Sequence, residues 1–188
     1  MSDVGDDRLT TQLGDVSVVA ASRDDAVAIL RLRDALANWM LERGIDQWRP
    51  GEMSLAWIEE CAGQGWVFVA RRDANLIASV TLVWSDPFIW GDLDGPGGYI
   101  HMLMVDRGHA HLGLGRSLLD WAESRIKRSG HHRARLDCVR TNVALRAYYE
   151  DAGYALVGYR DFDSVPAVAL YEKPLTAESH AERFGVTR

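Results

Sequence analysis

Apolar residues recur along this chain in two rhythms. Ile29, Leu32, Leu36, Trp39 and Met40 fall on one face of a helix, with Ser22 as its N-cap, Asp24 and Asp25 in its first turn, and an end near Gly44. Leu55, Ile58 and Cys61 mark the inner face of a second helix, closed by Gly63 and Gly65. Leu118, Leu119, Ala122 and Ile126 form a third helical stripe. Lys127 and Arg128 suit its C-terminal dipole, and Gly130 caps it. A short fourth helix opens at Asn142, carries Leu145, Tyr148, Tyr149 and Ala152 on one face, and stops at Gly153. Between the helices lie short apolar runs that predict strands over 16–21, 66–70, 76–84, 99–105, 135–139, 156–161 and 168–172. The polar turn Asp73-Ala74-Asn75 makes the second and third of these a hairpin.

Strands and helices alternate late in the chain, and a hairpin sits in the middle. This order predicts an α/β (α+β) domain, a mixed sheet of about six or seven strands with helices on both faces. Residues 1–14 read as a flexible polar arm, 15–175 as the single domain, and 176–188 as a tail. A length of 188 residues suits one core. No apolar run approaches the roughly 20 residues that cross a bilayer, and the acidic first residues show no secretory leader. Cys61 and Cys138 sit in apolar surroundings without paired spacing, which reads as buried, reduced thiols in a cytoplasmic protein. The net charge of −6 argues against nucleic acid as a partner and is compatible with a cationic substrate.

The chemistry concentrates after residue 99. The apolar run 99–105 leads to Ala110-His111-Leu112-Gly113-Leu114-Gly115-Arg116, a turn without bulk at the start of a helix. Unpaired N–H groups and the helix dipole make such a turn an anion site, so a phosphate-bearing ligand is expected. The dinucleotide fingerprint is incomplete, because Leu118 stands where its third glycine would fall. A Gly-Lys-Ser/Thr phosphate loop is absent from the sequence.

The remaining option is coenzyme A. The ordered set Leu103-Met104-Val105, the Gly113-Leu114-Gly115 turn, Asn142, Tyr149 and Gly153-Tyr154 resembles the GNAT superfamily of acyl-CoA-dependent N-acetyltransferases. The likeness runs from Tyr99 to Tyr159, and the preceding elements follow the family order, which implies a mostly antiparallel sheet. It departs at Ala110, where the family usually has Arg or Gln, and at His111, often Gly. Backbone N–H groups carry most of a pyrophosphate contact, so these changes bear on affinity more than on ligand identity.

The resemblance implies acetyl transfer from acetyl-CoA to a primary amine of a small molecule by direct attack in a ternary complex. No metal is expected, because the near-neighbour histidines His109, His111, His131 and His132 lack a carboxylate or cysteine partner at ligand spacing. The resemblance assigns the coenzyme to Leu103, Met104, Val105, residues 110–116 and Asn142, and thiolate protonation to Tyr149. It further points to the Leu103 N–H as the oxyanion donor. Packing beside Leu145 and Ala152 is the competing account of Tyr149; Tyr148 reads as structural. An alkylamine with a pKa of about 10.4 is almost wholly protonated at neutral pH, so a base is needed. His101, the one titratable side chain in the middle of its strand, is the candidate. Its segment is also similar to one in arylalkylamine N-acetyltransferases, where strand histidines take part in proton removal. A buried histidine bonded to a backbone carbonyl, or Glu52, Asp86 or Asp92 acting through water, stays open.

Seven tryptophans are many for this length. Trp48, Trp84 and Trp90, with Asp86 nearby, are candidates for an acceptor pocket suited to an amine on an apolar body. Trp39, Trp57, Trp66 and Trp121 read as packing. The competing functions are acetylation of a protein or peptide amine, and a non-catalytic acyl-CoA-binding module. Pairing of two copies fits such folds.

Overall fold

The computed structural model describes residues 7–163 and 165–175. Its centre is one eight-stranded sheet: β1 (Asp7–Thr11), β2 (Gly14–Ala20), β3 (Val67–Arg72), β4 (Asn75–Val83), β5 (Gly98–Val105), β6 (Arg133–Val139), β7 (Ala155–Arg160) and β8 (Val168–Pro174). The strands run in the order β1-β2-β3-β4-β5-β6-β8-β7. All neighbours are antiparallel except β5 and β6. The helices are α1 (Ala26–Leu41), α2 (Leu55–Gly63), the single turn α3 (Pro87–Trp90), α4 (Leu114–Arg128) and α5 (Val143–Asp151).

The helical stripes sort the helices onto the two faces. Ile29, Leu32 and Leu36 of α1 and Ile58 and Cys61 of α2 bury against Val67, Val69 and Met104. Leu118, Leu119, Ala122 and Ile126 of α4 and Tyr149 of α5 bury against the other face, with Val80, Ile100 and Leu136. In the turn that leads into α1, the Ser22 N–H donates to the Asp25 carboxylate at 2.9 Å, one arm of a capping box.

The strand count exceeds the expectation because part of the supposed arm is ordered. Residues 7–14, read as a loose polar segment, form β1 and the turn into β2. Only Leu9 of β1 packs on the core. Its remaining support is distant: the Trp121 indole donates to Asp7 Oδ2 at 2.7 Å, and Arg128 does so at 2.9 Å. A local apolar rhythm does not register such contacts. Residues 1–6 and 176–188, the rest of the arm and the tail, lie outside the described residues.

Gly98 opens β5 directly beneath α4. A Cβ there would come within 2.4 Å of Ile126 Cγ1, a side chain with no exposed surface. Gly98→Ala is therefore expected to push α4 off the sheet and cost about 1–3 kcal/mol. Thermal unfolding checks this, and an unchanged midpoint would contradict the packing described.

Candidate active site

The sheet opens where β5 and β6 part. Their parallel pairing stops at Ile100 with Leu136, so His101 and Asp137 are the first residues on the two lips. β5 also carries an extra residue there, because Thr81 pairs with His101 while Ser79 pairs with Met104. Met102 takes φ +49°, a left-handed conformation that costs a non-glycine residue about 1–2 kcal/mol. The bulge leaves Leu103 and Val105 facing a cavity of about 730 Å³ that fills the opening.

At one end of the cavity lies the start of α4. Gly113 is its N-cap with φ +80°, and His111 is also left-handed at φ +63°. Ala110, His111, Gly113, Gly115 and Arg116 all line the cavity. Leu114 and Met104 turn into the core and Leu112 is half-buried, and none of the three lines the cavity. The first helical N–H groups have no partner within the helix, which makes this end suited to an anion. Ala110 supplies no base. Arg116 is paired with Asp120 at 2.9 Å. Arg107 lines the cavity, lies 4.0 Å over the Trp39 ring, and has no carboxylate partner among the described residues.

Asn142 does two things at the cavity rim. Its Oδ1 accepts from the Leu145 N–H at 3.1 Å and so starts α5. Its Nδ2 donates to Gln47 Oε1 at 2.9 Å, tying the α1–α2 loop to α5. Trp48 in that loop lines the cavity, and the buried Arg33 lies 5.5 Å over its ring. Arg33 also donates to the Arg49 carbonyl at 2.8 Å and pairs with Glu52 at 3.1 Å, which holds the loop in place.

His101 sits between two carboxylates. Its Nε2 is 3.3 Å from Asp86 Oδ2 and its Nδ1 is 3.6 Å from Asp137 Oδ1. Burial alone would lower the imidazole pKa, but Asp86 together with the charge of Asp137 outweighs it and holds the pKa above its ordinary value. Asp137 is pushed upward, chiefly by burial, with the His101 charge opposing. Only Asp137 and His101 of the three line the cavity. Asp86 thus faces the ring from behind, and Nδ1 is the nitrogen presented to a ligand. The donor atoms of all three residues lie within 4.8 Å of one another, close enough to share one cation. No ligand spacing in the sequence signals this trio, because the fold brings it together from three separate elements.

A buried network holds Asp86 in place. The Asp86 N–H donates to Asp94 Oδ1 at 3.2 Å, and the Ser85 hydroxyl donates to Asp94 Oδ2 at 2.8 Å. The Tyr99 hydroxyl donates to Asp94 and receives a bond from Arg135 at 2.5 Å. Arg135 is tied to Glu172 of β8 at 2.8 Å. The loop that carries Asp86 is therefore anchored across β5, β6 and β8.

Tyr149 lines the cavity and is 7% exposed. Burial drives its phenol pKa far upward, so it keeps its proton and is able to donate it. Cys138, also in the lining, is pushed up to about 12 by burial and the Asp137 charge, which keeps it a thiol. The Tyr148 hydroxyl is buried without a partner, close to where a Cβ on Gly115 would lie.

The structure places the other acceptor candidates elsewhere. Trp90 is 2% exposed in a separate core cluster with Tyr99, Val168 and Leu170. Trp84 stacks on His131 with ring centroids 4.9 Å apart, away from the cavity. Among the packing tryptophans, Trp121 is buried, whereas Trp57 and Trp66 are exposed and Trp39 borders the cavity. The sequence reading missed Asp137, Ile89 and Phe162. Asp137 had a legible signal, a carboxylate in the middle of an apolar strand. The others had none.

Known proteins resemble this chain in sequence and in fold. The family model described as Acetyltransferase (GNAT) family matches residues 33–154. The uncharacterized N-acetyltransferase YesJ of Bacillus subtilis is 37% identical over 165 residues, covering 82% of this chain and 88% of YesJ. A GNAT-family acetyltransferase structure from Listeria monocytogenes superposes with a TM-score of 0.76 at 24% identity, over 90% of this chain and all of that one. The yncA structure from Salmonella typhimurium, solved with its cofactor acetyl-CoA, does so with a TM-score of 0.61 at 16% identity, over 90% of this chain and 99% of that one. The last two bear on the fold; the family match and the relationship to YesJ bear on the chemistry. The chain belongs to the GNAT acetyltransferase family and is an acyltransferase.

Proposed function

We propose that the protein transfers an acetyl group from acetyl-CoA to the primary amine of a small molecule, by direct attack in a ternary complex. The observation that carries this reading is one continuous cavity, running from the anion-binding start of α4 through the parted strands to His101. The residues present fit the coenzyme: a turn open at Gly113 and Gly115, N–H groups for a pyrophosphate, and free strand edges for pantetheine amides. When bound, the coenzyme supplies an activated acetyl thioester.

The chain's own groups divide the remaining work. The N–H groups of the 110–116 turn, with Arg107 beside them, hold the phosphates in place of the side chain missing at Ala110. Asn142 and the edge at Leu103 and Val105 orient the pantetheine arm. The Leu103 N–H takes up charge on the acyl oxygen. His101 Nδ1 accepts a proton from the ammonium, with Asp86 steadying the opposite nitrogen. As the new N–C bond forms and the C–S bond breaks, Tyr149 gives its proton to the departing sulfur and is restored by the second proton that the nitrogen sheds as the amide forms. Cys138, held as a thiol, does not serve a covalent route. The two free, buried cysteines fit a reducing cytoplasm. No helix of the described chain is long and apolar enough to cross a membrane.

Free-thiol release from acetyl-CoA, assayed over monoamines, polyamines, aminoglycosides and short peptides, tests this. Acceptor-dependent release with a small amine is expected, and a chelator is expected to leave it unchanged. Release with peptides alone would move the acceptor class to proteins. Coenzyme binding without release for any acceptor would leave a binding module. Loss of activity on chelation would turn the Asp86–His101–Asp137 trio into a metal site.

A further inference from the structure

We infer that Asp137 is the ammonium-recognition group of this site, and that the acceptor is a monoamine with an apolar body and no carboxylate. The inference rests on the transferase reading and narrows its acceptor.

The charges lining the cavity are unevenly placed. Arg107, His109, His111 and Arg116 all belong to the segment that leads from β5 into α4. An apolar part of the wall is formed by Met40, Ile45, Trp48, Ile89, Phe162 and Pro166, contributed by α1, the α1–α2 loop, α3 and the β7–β8 loop. Among the described residues these elements bring no lysine or arginine to the lining. Of the cations near this wall, Arg33 is committed to Asp34, Glu52 and the Arg49 carbonyl beneath Trp48, and Arg160 lies outside the lining, 5.9 Å over the Phe162 ring. An amino acid or a peptide C-terminus would therefore bring a carboxylate against an apolar wall whose lining holds no lysine or arginine, and it would lose hydration with little compensation.

Among the described residues, Asp137 is the only carboxylate in the lining. Its side chain is 17% exposed, and Oδ1 lies 3.6 Å from His101 Nδ1. An ammonium bonded to Asp137 is thus delivered beside the nitrogen that removes its proton. One carboxylate in an otherwise apolar chamber matches one positive charge. A polyamine would have to bury a second ammonium against Trp48 or Phe162, where cation–π contact offsets only part of its lost hydration.

The test compares phenethylamine with phenylalanine, which has the same carbon skeleton plus a carboxylate, and with spermidine and a glycyl peptide. The wild-type enzyme should use phenethylamine with a kcat/KM at least tenfold above each of the others. Asp137→Asn should raise the KM for phenethylamine about tenfold while leaving coenzyme A affinity within twofold, because Asp137 lies apart from the α4 turn. Thermal midpoints of the variant and wild type confirm that the fold is retained. The wild-type ratios need no variant and stand by themselves. Preference for phenylalanine, spermidine or the peptide overturns the inference while the transferase reading survives. An unchanged KM in folded Asp137→Asn also overturns it. Coenzyme binding with no turnover of any amine defeats the transferase reading first, and this inference with it.

Discussion

Tyr149→Phe is expected to lower kcat by about two orders of magnitude, at the lower end of the range for removal of a positioned proton donor. Affinity for coenzyme A should stay within twofold. The substitution removes one oxygen and keeps the ring that packs near Tyr154 and Tyr171. Burial holds the phenol protonated at every pH at which the protein is studied, so Tyr149 itself should contribute no limb to the pH–rate profile. Steady-state thiol release, paired with a coenzyme A titration, reads both quantities. A variant that keeps wild-type kcat would return Tyr149 to packing beside Leu145 and Ala152. A variant that loses coenzyme affinity and kcat together would make it a binding residue rather than an acid.

His101→Gln should reduce kcat/KM by about 10²-fold or more, and the pH profile should show why. As a base His101 works only when neutral. Its pKa is held above the ordinary 6.5 by Asp86 and Asp137, so the acidic limb of kcat/KM should have its midpoint above pH 6.5, with activity rising as pH rises through it. Asp86→Asn removes one of the two carboxylates and should move that midpoint to lower pH. The kcat limb reports the complex, where a bound ammonium repels the imidazolium, and should lie below the kcat/KM limb. The same interactions act on the fold. Because the folded pKa is raised, protonated His101 contributes stability below its unfolded pKa of about 6.5, and that contribution fades as pH rises through the folded value. A limb unmoved by Asp86→Asn, or absent from wild type, would assign proton removal to another group.

The contrast between these two residues shows where sequence reasoning reaches and where it stops. Tyr149 was legible because its partners are local: Asn142 caps the helix that carries it, and Gly153 ends that helix. The α4 turn was legible for the same reason, since Gly113 and the stripe from Leu118 to Ile126 lie within one element. His101 could be singled out by type alone, as a titratable group in an apolar run. Its environment could not, because Asp86 and Asp137 reach it from a loop and from a neighbouring strand.

The tryptophans mark the limit more sharply. Trp48, Trp84 and Trp90 occupy comparable stretches between elements, yet only Trp48 reaches the cavity. Trp90 was drawn inward because the Asp94–Tyr99–Arg135 network folds its loop over the sheet, placing its ring 5.1 Å from the Arg135 guanidinium. Trp84 lies past the end of β4, next to Val83, which pairs with Tyr99 two residues before His101. There it meets His131.

By itself, the sequence determined the alternation of elements, the faces that the helices bury, the open glycine turn at the start of α4 and the short helix that carries Tyr149. Each follows from periodicity, capping or glycine geometry within a few residues of chain. Tertiary structure alone decided that residues 7–11 join the sheet, that β5 and β6 part after Ile100, and that Asp86, His101 and Asp137 converge at the opening. Those outcomes depend on strand order and on contacts between residues far apart in the chain, whose energies no local pattern of apolar and polar residues records.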